Sequence, residues 1–323
     1  VAIHIITTGG TIASTGTNHG IVQAQIPGSV LTSELTTSSS DLIVHELSLE
    51  GSYNFDFVFL NRLLTTIESL THLPNCQGIV VSQGTDTMEE TAWTVYLFNH
   101  TNVPVVFTGA QRAADIPDTD GPRNLRHAIY VARQSKFQFS RSLIVFGSQV
   151  LSGLWAIKRH TTSLQPYASA SGVIAAFDES DALSIFQDKP ISLSLPPLKR
   201  HWMESIAVLP MMLGLSGDLL LHMARNGVKG IVLEGFGLGN ANRSVAHAVS
   251  QLTEQNIPVV ITSRCREGPA RPVYGNGGGA DLQQRGAIFA GHLPASKARL
   301  YLSLLLGNGI PINQLAEHFQ PFY

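Results

Sequence analysis

Two threonines stand in glycine-flanked turns where each could present a hydroxyl to an acyl carbon. Thr11 lies in Thr7-Thr8-Gly9-Gly10-Thr11-Ile12-Ala13-Ser14, directly after an apolar β-branched run. The glycines let the backbone turn tightly and approach a ligand, leaving the Thr11 hydroxyl at a strand's carboxyl end. A polar turn in which Thr11 bonds its own backbone has the same pattern. Thr85 lies in Gln83-Gly84-Thr85-Asp86-Thr87-Met88-Glu89-Glu90-Thr91. Thr87 and Glu90 have capping-box spacing, so this segment also reads as a well-started helix. A helix N-terminus with a hydroxyl beside a carboxylate suits a substrate carboxylate or an activated hydroxyl. Lys158, in Leu154-Trp155-Ala156-Ile157-Lys158-Arg159-His160-Thr161, reads alone as a solvated surface lysine. Placed beside Thr85, a desolvated lysine could act as base with an aspartate holding it, giving Thr, Lys and Asp the roles of a hydrolase triad.

Other chemistries lack their residues. No two histidines are closer than fifteen positions, so the i, i+4 zinc pair of a metallohydrolase helix is absent and no metal is implied. There is no G-x-x-x-x-G-K-[ST] and no G-x-S-x-G. Gly235-Phe236-Gly237-Leu238-Gly239-Asn240 lacks dinucleotide-loop spacing, and no cofactor is expected. A formal net charge of -2 favours a small, weakly charged ligand over nucleic acid or an anionic membrane surface. No apolar run approaches the roughly 20 residues of a membrane span. Cys76 and Cys265 lie in different halves of the chain and define no disulfide framework.

The elements that must position these residues follow from the hydrophobic pattern. With 323 residues, 44% hydrophobic, the chain can form two cores. Short β-branched runs alternate with helix-length stretches, the pattern of an α/β fold with a mostly parallel sheet flanked by helices. The clearest strands are Ala2 to Thr7, Gly78 to Ser82, Val103 to Thr108 and Ser142 to Phe146. Ligands of such sheets bind at the carboxyl ends of the strands, where Thr11 and Thr85 fall. A Pro-Pro step without helical period suits a linker. The expected division is an N-terminal α/β catalytic domain over 1–190, a linker over 191–204, and a smaller C-terminal α/β domain over 205–323. In the latter, Ile206 to Leu209, Gly230 to Glu234 and Pro258 to Thr262 read as strands. The apolar start, Val1 to Ile6, reads as a first strand rather than a signal peptide, so the expected compartment is cytoplasmic, or periplasmic if a signal peptide has been removed.

In this order, the segments resemble the bacterial-type L-asparaginases. Thr8 to Ala13 (T-G-G-T-I-A) and Gly84 to Thr91 (G-T-D-T-M-E-E-T) are similar to that family's two threonine signatures. Further matches are Gly109-Ala110-Gln111-Arg112, Asp120-Gly121-Pro122-Arg123-Asn124-Leu125, Lys158 and Lys297-Ala298-Arg299, so the resemblance spans nearly the whole chain. It implies a homotetramer of intimate dimers, with sites between subunits and with asparagine, or also glutamine, as substrate. It implies Thr11 as the nucleophile, and Thr85, Asp86 and Lys158 as the group that completes hydrolysis of the acyl-enzyme. Gly51, Ser52 and Tyr53, with Gly84, would hold the substrate's backbone groups. The Ala110 carbonyl would hold the leaving nitrogen, and the Thr11 and Thr85 region would supply oxyanion donors.

The chain departs from the family pattern at four places. From Ser14 to Gln25 it has no tyrosine, where many secreted members carry one in the lid. Gln83 stands for a frequent histidine and Leu238 for an asparagine. Glu267, the only glutamate between Arg266 and Asp281, falls early for the one a neighbouring subunit often contributes. These departures keep three other readings in view: a glutaminase-asparaginase, a non-catalytic asparagine- or aspartate-binding module, and a relative of the amide-transfer subunit acting with transfer RNA. The last would bring an extra domain and a basic stripe that this chain does not show.

Overall fold

The computed structural model describes residues 1–16, 21–33, 41–187 and 193–323. Residues 17–20 of the expected lid and 191–192 of the expected linker lie outside that set. The chain divides into two compact units, Val1–Ser192 and Leu193–Tyr323.

The first unit begins with β1 (Ala2–Gly9), buried along its whole length. A strand apolar on both faces must be covered on both, and two cores do this. Ile3 and Ile5 pack with Leu125, Ala128 and Val131, and Ile6 packs with Leu63, Ile67 and Met88. After the hairpin of β2 (Ser14–Gly16) and β3 (Val22–Ala24), and α1 (Gly28–Leu31), comes β4 (Leu42–Glu50). The helix α2 (Phe57–Thr71) starts where Asp56 accepts a hydrogen bond from the Phe59 N–H at 2.8 Å, a cap worth about 1 kcal/mol. There follow β5 (Cys76–Ser82), α3 (Met88–Phe98), β6 (Val105–Thr108), α4 (Gly121–Arg133) and β7 (Ser142–Phe146). Next are β8 (Gln149–Ser152), β9 (Ala156–Lys158), β10 (Tyr167–Ser169), β11 (Ala175–Phe177) and β12 (Leu183–Ile185).

Eight of these strands form one sheet in the order β12-β11-β8-β7-β6-β5-β1-β4. It is parallel from β4 to β7 and antiparallel beyond, while β9 and β10 form a separate antiparallel pair. Because β1 is flanked by β4 on one side and β5 on the other, the chain reverses its direction of travel across the sheet at β1. The crevice at such a reversal is where ligands of open α/β sheets bind, and the Thr11 and Thr85 turns leave it from the adjacent strands β1 and β5.

The second unit is a four-stranded parallel sheet, β13 (Ile206–Pro210), β14 (Gly230–Gly235), β15 (Val259–Ser263) and β16 (Ile288–Phe289), in that order. The helices α5 (Asp218–Arg225), α6 (Arg243–Glu254), α7 (Gly279–Gln284), α8 (Ala295–Gly307) and α9 (Leu315–Phe319) accompany it. A mostly parallel sheet with flanking helices and a separate smaller α/β unit is the architecture the hydrophobic pattern implied.

Strand limits differ in places for identifiable reasons. The run from Val103 becomes a strand only at Val105 and the run from Pro258 only at Val259, since Pro104 and Pro258 have no N–H to donate. The long strand β4 escapes a search for apolar runs. It is an edge strand with polar His45, Glu46, Ser48 and Glu50 among its apolar residues, and it is only partly buried.

Candidate active site

Glycine sets the spacing at the carboxyl end of the sheet. Gly10 has φ +81°, a left-handed conformation, and a Cβ there would lie 2.3 Å from the Gly84 nitrogen and 2.4 Å from its Cα. The turn after β1 and the turn after β5 therefore touch backbone to backbone, a contact that requires glycine at position 10. Thr11 follows as the first residue of a short 3-10 turn, Thr11–Ala13, and Ser14 closes that turn by donating to the Gly10 carbonyl at 2.8 Å.

Thr85 is buried, 5% exposed, one residue beyond that contact. The Lys158 Nζ lies 2.7 Å from the Thr85 Oγ1 and 2.7 Å from the Asp86 Oδ1. The lysine side chain is 18% exposed and that of Asp86 55%, so the ion pair has one wet side and one dry side, with the threonine on the dry one. Lys158 ends β9, and its main-chain N–H donates to the Glu89 carboxylate in the first turn of α3. The Tyr167 hydroxyl donates to the Thr85 carbonyl at 2.8 Å. Burial first, then the Glu89 and Asp86 carboxylates, push the Tyr167 pKa well above its ordinary value, so the phenol stays a donor.

The segment after β4 packs on the same turn. Ser52 is buried; its Oγ accepts from the Thr87 N–H at 3.4 Å and its carbonyl accepts from the Thr87 hydroxyl at 3.0 Å. A Cβ on Gly84 would meet the Ser52 Oγ at 2.7 Å and the Ser52 Cβ at 3.0 Å, so a side chain there would displace Ser52 from this turn. Gly51 packs under the Tyr53 ring, and Tyr53 is itself exposed. Gln83 accepts from the Thr91 hydroxyl at 3.0 Å and ties the turn to α3.

Ala110 is buried in the turn after β6. The neighbouring Gly109 stands so close to the Gln83 carbonyl that a Cβ would lie 2.3 Å from it. The Asp120 carboxylate accepts from the main-chain N–H groups of Gln111 and Arg112, each at 3.0 Å, and Asn124 donates to the Gly109 carbonyl at 2.9 Å. The acidic and amide residues of the Asp120 to Leu125 segment thus hold the Ala110 turn from both sides.

Thr85, Asp86 and Lys158 are therefore joined directly, while Thr11, Gly51, Ser52, Tyr53, Gly84 and Ala110 arrive on loops packed around them. Glu89 and Tyr167 are contacts that the sequence pattern does not single out. Glu89 reads as an ordinary first-turn helix acid, and Tyr167 as core. Among the described residues no group of three or more His, Cys, Asp or Glu side chains is placed to hold a metal ion. The arrangement can do acyl-transfer chemistry: a hydroxyl, a nitrogen base and an orienting carboxylate in contact at a helix start.

Comparisons with known proteins identify the family. The family model described as asparaginase, N-terminal, matches residues 2–190, and that described as glutaminase/asparaginase C-terminal domain matches residues 205–319. The chain is 30% identical to an L-asparaginase of Bacillus licheniformis, with 95% of each chain covered. It is 29% identical to L-asparaginase 2-3 of Saccharomyces cerevisiae, covering 100% of this chain and 90% of the yeast protein. In fold it is similar to the crystal structure of a probable cytoplasmic L-asparaginase from Campylobacter jejuni, with a TM-score of 0.86, 24% identity and 99% of each chain covered.

Proposed function

The chain belongs to the asparaginase family, and from that premise we propose that it hydrolyses the side-chain amide of L-asparagine to L-aspartate and ammonia through a threonine ester. The observation that carries the reading is Lys158, whose Nζ reaches both Thr85 and Asp86 within hydrogen-bond distance.

In this reading the Thr11 hydroxyl attacks the amide carbon, and its proton passes to the departing nitrogen. Main-chain N–H groups of the Thr11 and Thr85 turns face the developing oxyanion. The C–N bond breaks, ammonia leaves, and an aspartyl ester of Thr11 remains. Lys158, in its amine form, takes the Thr85 proton. Thr85 in turn takes a proton from the water that attacks the ester, and Asp86 stabilises the ammonium formed on Lys158. The ester C–O bond then breaks, and the proton held on Lys158 passes back through Thr85 to the Thr11 oxygen, so that Thr11 is again a free hydroxyl and Lys158 again an amine. Gly51, Ser52, Tyr53 and Gly84 grip the α-amino and α-carboxylate groups, and the Ala110 carbonyl receives the amide N–H.

The proposal includes domains over 1–190 and 205–323 joined by a linker over 191–204, and a homotetramer of intimate dimers, which sedimentation equilibrium tests. It also includes a cytoplasmic location. Both cysteines are free, which a reducing compartment accommodates, and cell fractionation tests the location. No helix among the described residues is long and apolar enough to cross a membrane.

Ammonia release from L-asparagine and L-glutamine by the purified protein tests the activity, with specificity read as the ratio of kcat/KM values. A ratio strongly favouring asparagine supports the reading. Near-equal values would make it a glutaminase-asparaginase, and tight binding of asparagine without turnover would make it a binding module.

A further inference from the structure

Lys158 and Tyr167 are directly opposed across the β9–β10 pair. Opposed residues of an antiparallel pair project to the same side, and here both side chains end on one residue. Lys158 reaches the Thr85 hydroxyl at 2.7 Å, and Tyr167 reaches the Thr85 carbonyl at 2.8 Å. Thr85 lies between the end of β5 at Ser82 and the start of α3 at Met88. Its carbonyl therefore falls outside both the sheet ladder and the helix, and a side-chain donor is what satisfies it. The return contact runs from α3, where Glu89 accepts the main-chain N–H of Lys158. With the bond from Lys158 Nζ to Asp86, four hydrogen bonds thus fix the hairpin against the β5–α3 segment in a single register.

The tyrosine itself has little freedom. It is 3% exposed, and its ring meets Phe146 edge-on, with 5.5 Å between centroids and 64° between planes. Packing of that kind needs only a ring. The hydroxyl is the part a phenylalanine would lack, and it is the part that touches Thr85.

We propose that Tyr167 is a positioning residue for the hydrolytic step, holding the Thr85 main chain so that its hydroxyl stays on Lys158 Nζ. The proposal rests on the reading that Thr85 and Lys158 act in the reaction. It accounts for a tyrosine at the strand position opposite the base: the same hairpin that carries Lys158 also carries the group that aims the residue Lys158 must deprotonate.

The test is Tyr167→Phe, which keeps the ring and its packing and removes one oxygen. Two readouts are compared with wild type: steady-state kinetics on L-asparagine, and the rate of acetylation of the Lys158 amine by trace acetic anhydride, read by peptide mass spectrometry. The expected result is a kcat lowered about five- to tenfold, the factor corresponding to one lost neutral hydrogen bond, with KM within about twofold. Lys158 is expected to label several-fold faster once Thr85 is released. A merely structural tyrosine would lower Tm and the yield of folded protein, leaving kcat per folded enzyme and the labelling rate at wild-type values, and that result overturns the proposal. If wild type releases no ammonia, the asparaginase reading fails, and the Lys158 labelling comparison alone decides whether Tyr167 holds Thr85 in place.

Discussion

Replacing Lys158 by methionine separates its chemical contribution from its structural one. Methionine offers an unbranched stem of similar length and removes the ammonium. The lost ion pair with Asp86 is half exposed, a class worth about 0–1 kcal/mol. The lost bond to the Thr85 hydroxyl adds about 0.5–1.5 kcal/mol, and the Thr85 carbonyl keeps its Tyr167 donor. Together these predict a destabilisation of about 0.5–2.5 kcal/mol, which for a unit of this size lowers Tm by a few degrees. Removal of a general base costs about 10²- to 10⁴-fold in rate, or roughly 2.7–5.4 kcal/mol in barrier at 1.36 kcal/mol per decade. Lys158→Met is therefore expected to lose at least two decades of kcat while melting close to wild type, measured by ammonia release and circular-dichroism melting. Lys158→Arg, which keeps the charge but cannot supply a neutral base, is expected to be as inactive as the methionine variant. A kcat within tenfold of wild type in either variant refutes the assignment of Lys158 as base.

Gly10→Ala is expected to fail more severely, because its Cβ would sit 2.3 Å from the Gly84 nitrogen at a φ of +81°. A melting scan should show a large loss of stability, and a variant melting with wild type contradicts the proposed contact between the two turns. The thiols should differ sharply toward a disulfide reagent at pH 8. Burial raises the Cys76 pKa to about 11 while Cys265 is exposed, so one fast and one slow thiol are expected, and two equal rates count against this. The His4 and His45 rings lie 2.9 Å apart, nitrogen to nitrogen. Burial holds both pKa values below the ordinary one, and the neighbouring ring adds to the effect on His4. The unfolded chain, titrating near the usual ~6.5, then binds more protons than the folded one. Their contribution to stability is complete above that pH and is lost as pH falls through the lower folded-state values. Tm should fall on acidification below about pH 6.5, less steeply in His45→Gln; a Tm that rises there contradicts the sign.

The parts of the molecule legible in the sequence are those whose signal is local. β1 begins where its apolar run does, at Ala2, but continues two residues past Thr7 to Gly9, into the glycines that read as the turn. β7 is a short apolar run bounded by turn residues, and its limits follow from composition. β4 is not, because an edge strand can carry His45, Glu46, Ser48 and Glu50 without penalty; yet it delivers Gly51 to Tyr53. The motif residues could be named from type and order, but their meeting was implied only by the family resemblance and not by their spacing. Thr85 and Lys158 are separated by 73 positions, and the path between them includes the antiparallel turn-back of β8, which has no periodic signature. Tyr167 is the clearest case of a hidden contact. In Pro166-Tyr167-Ala168 it looks like a core residue, and only its register opposite Lys158 brings its hydroxyl to Thr85.

In the proposed reaction Thr11 carries the acyl group and the Thr85, Lys158 and Asp86 group removes it. Acid quench of Lys158→Met during reaction with L-asparagine, followed by peptide mass spectrometry, tests that division directly. The expected result is one aspartyl group esterified to the Thr11 peptide, accumulating in the variant and transient in wild type. An aspartyl group on the Thr85 peptide, or none on either while wild type turns over, would contradict it.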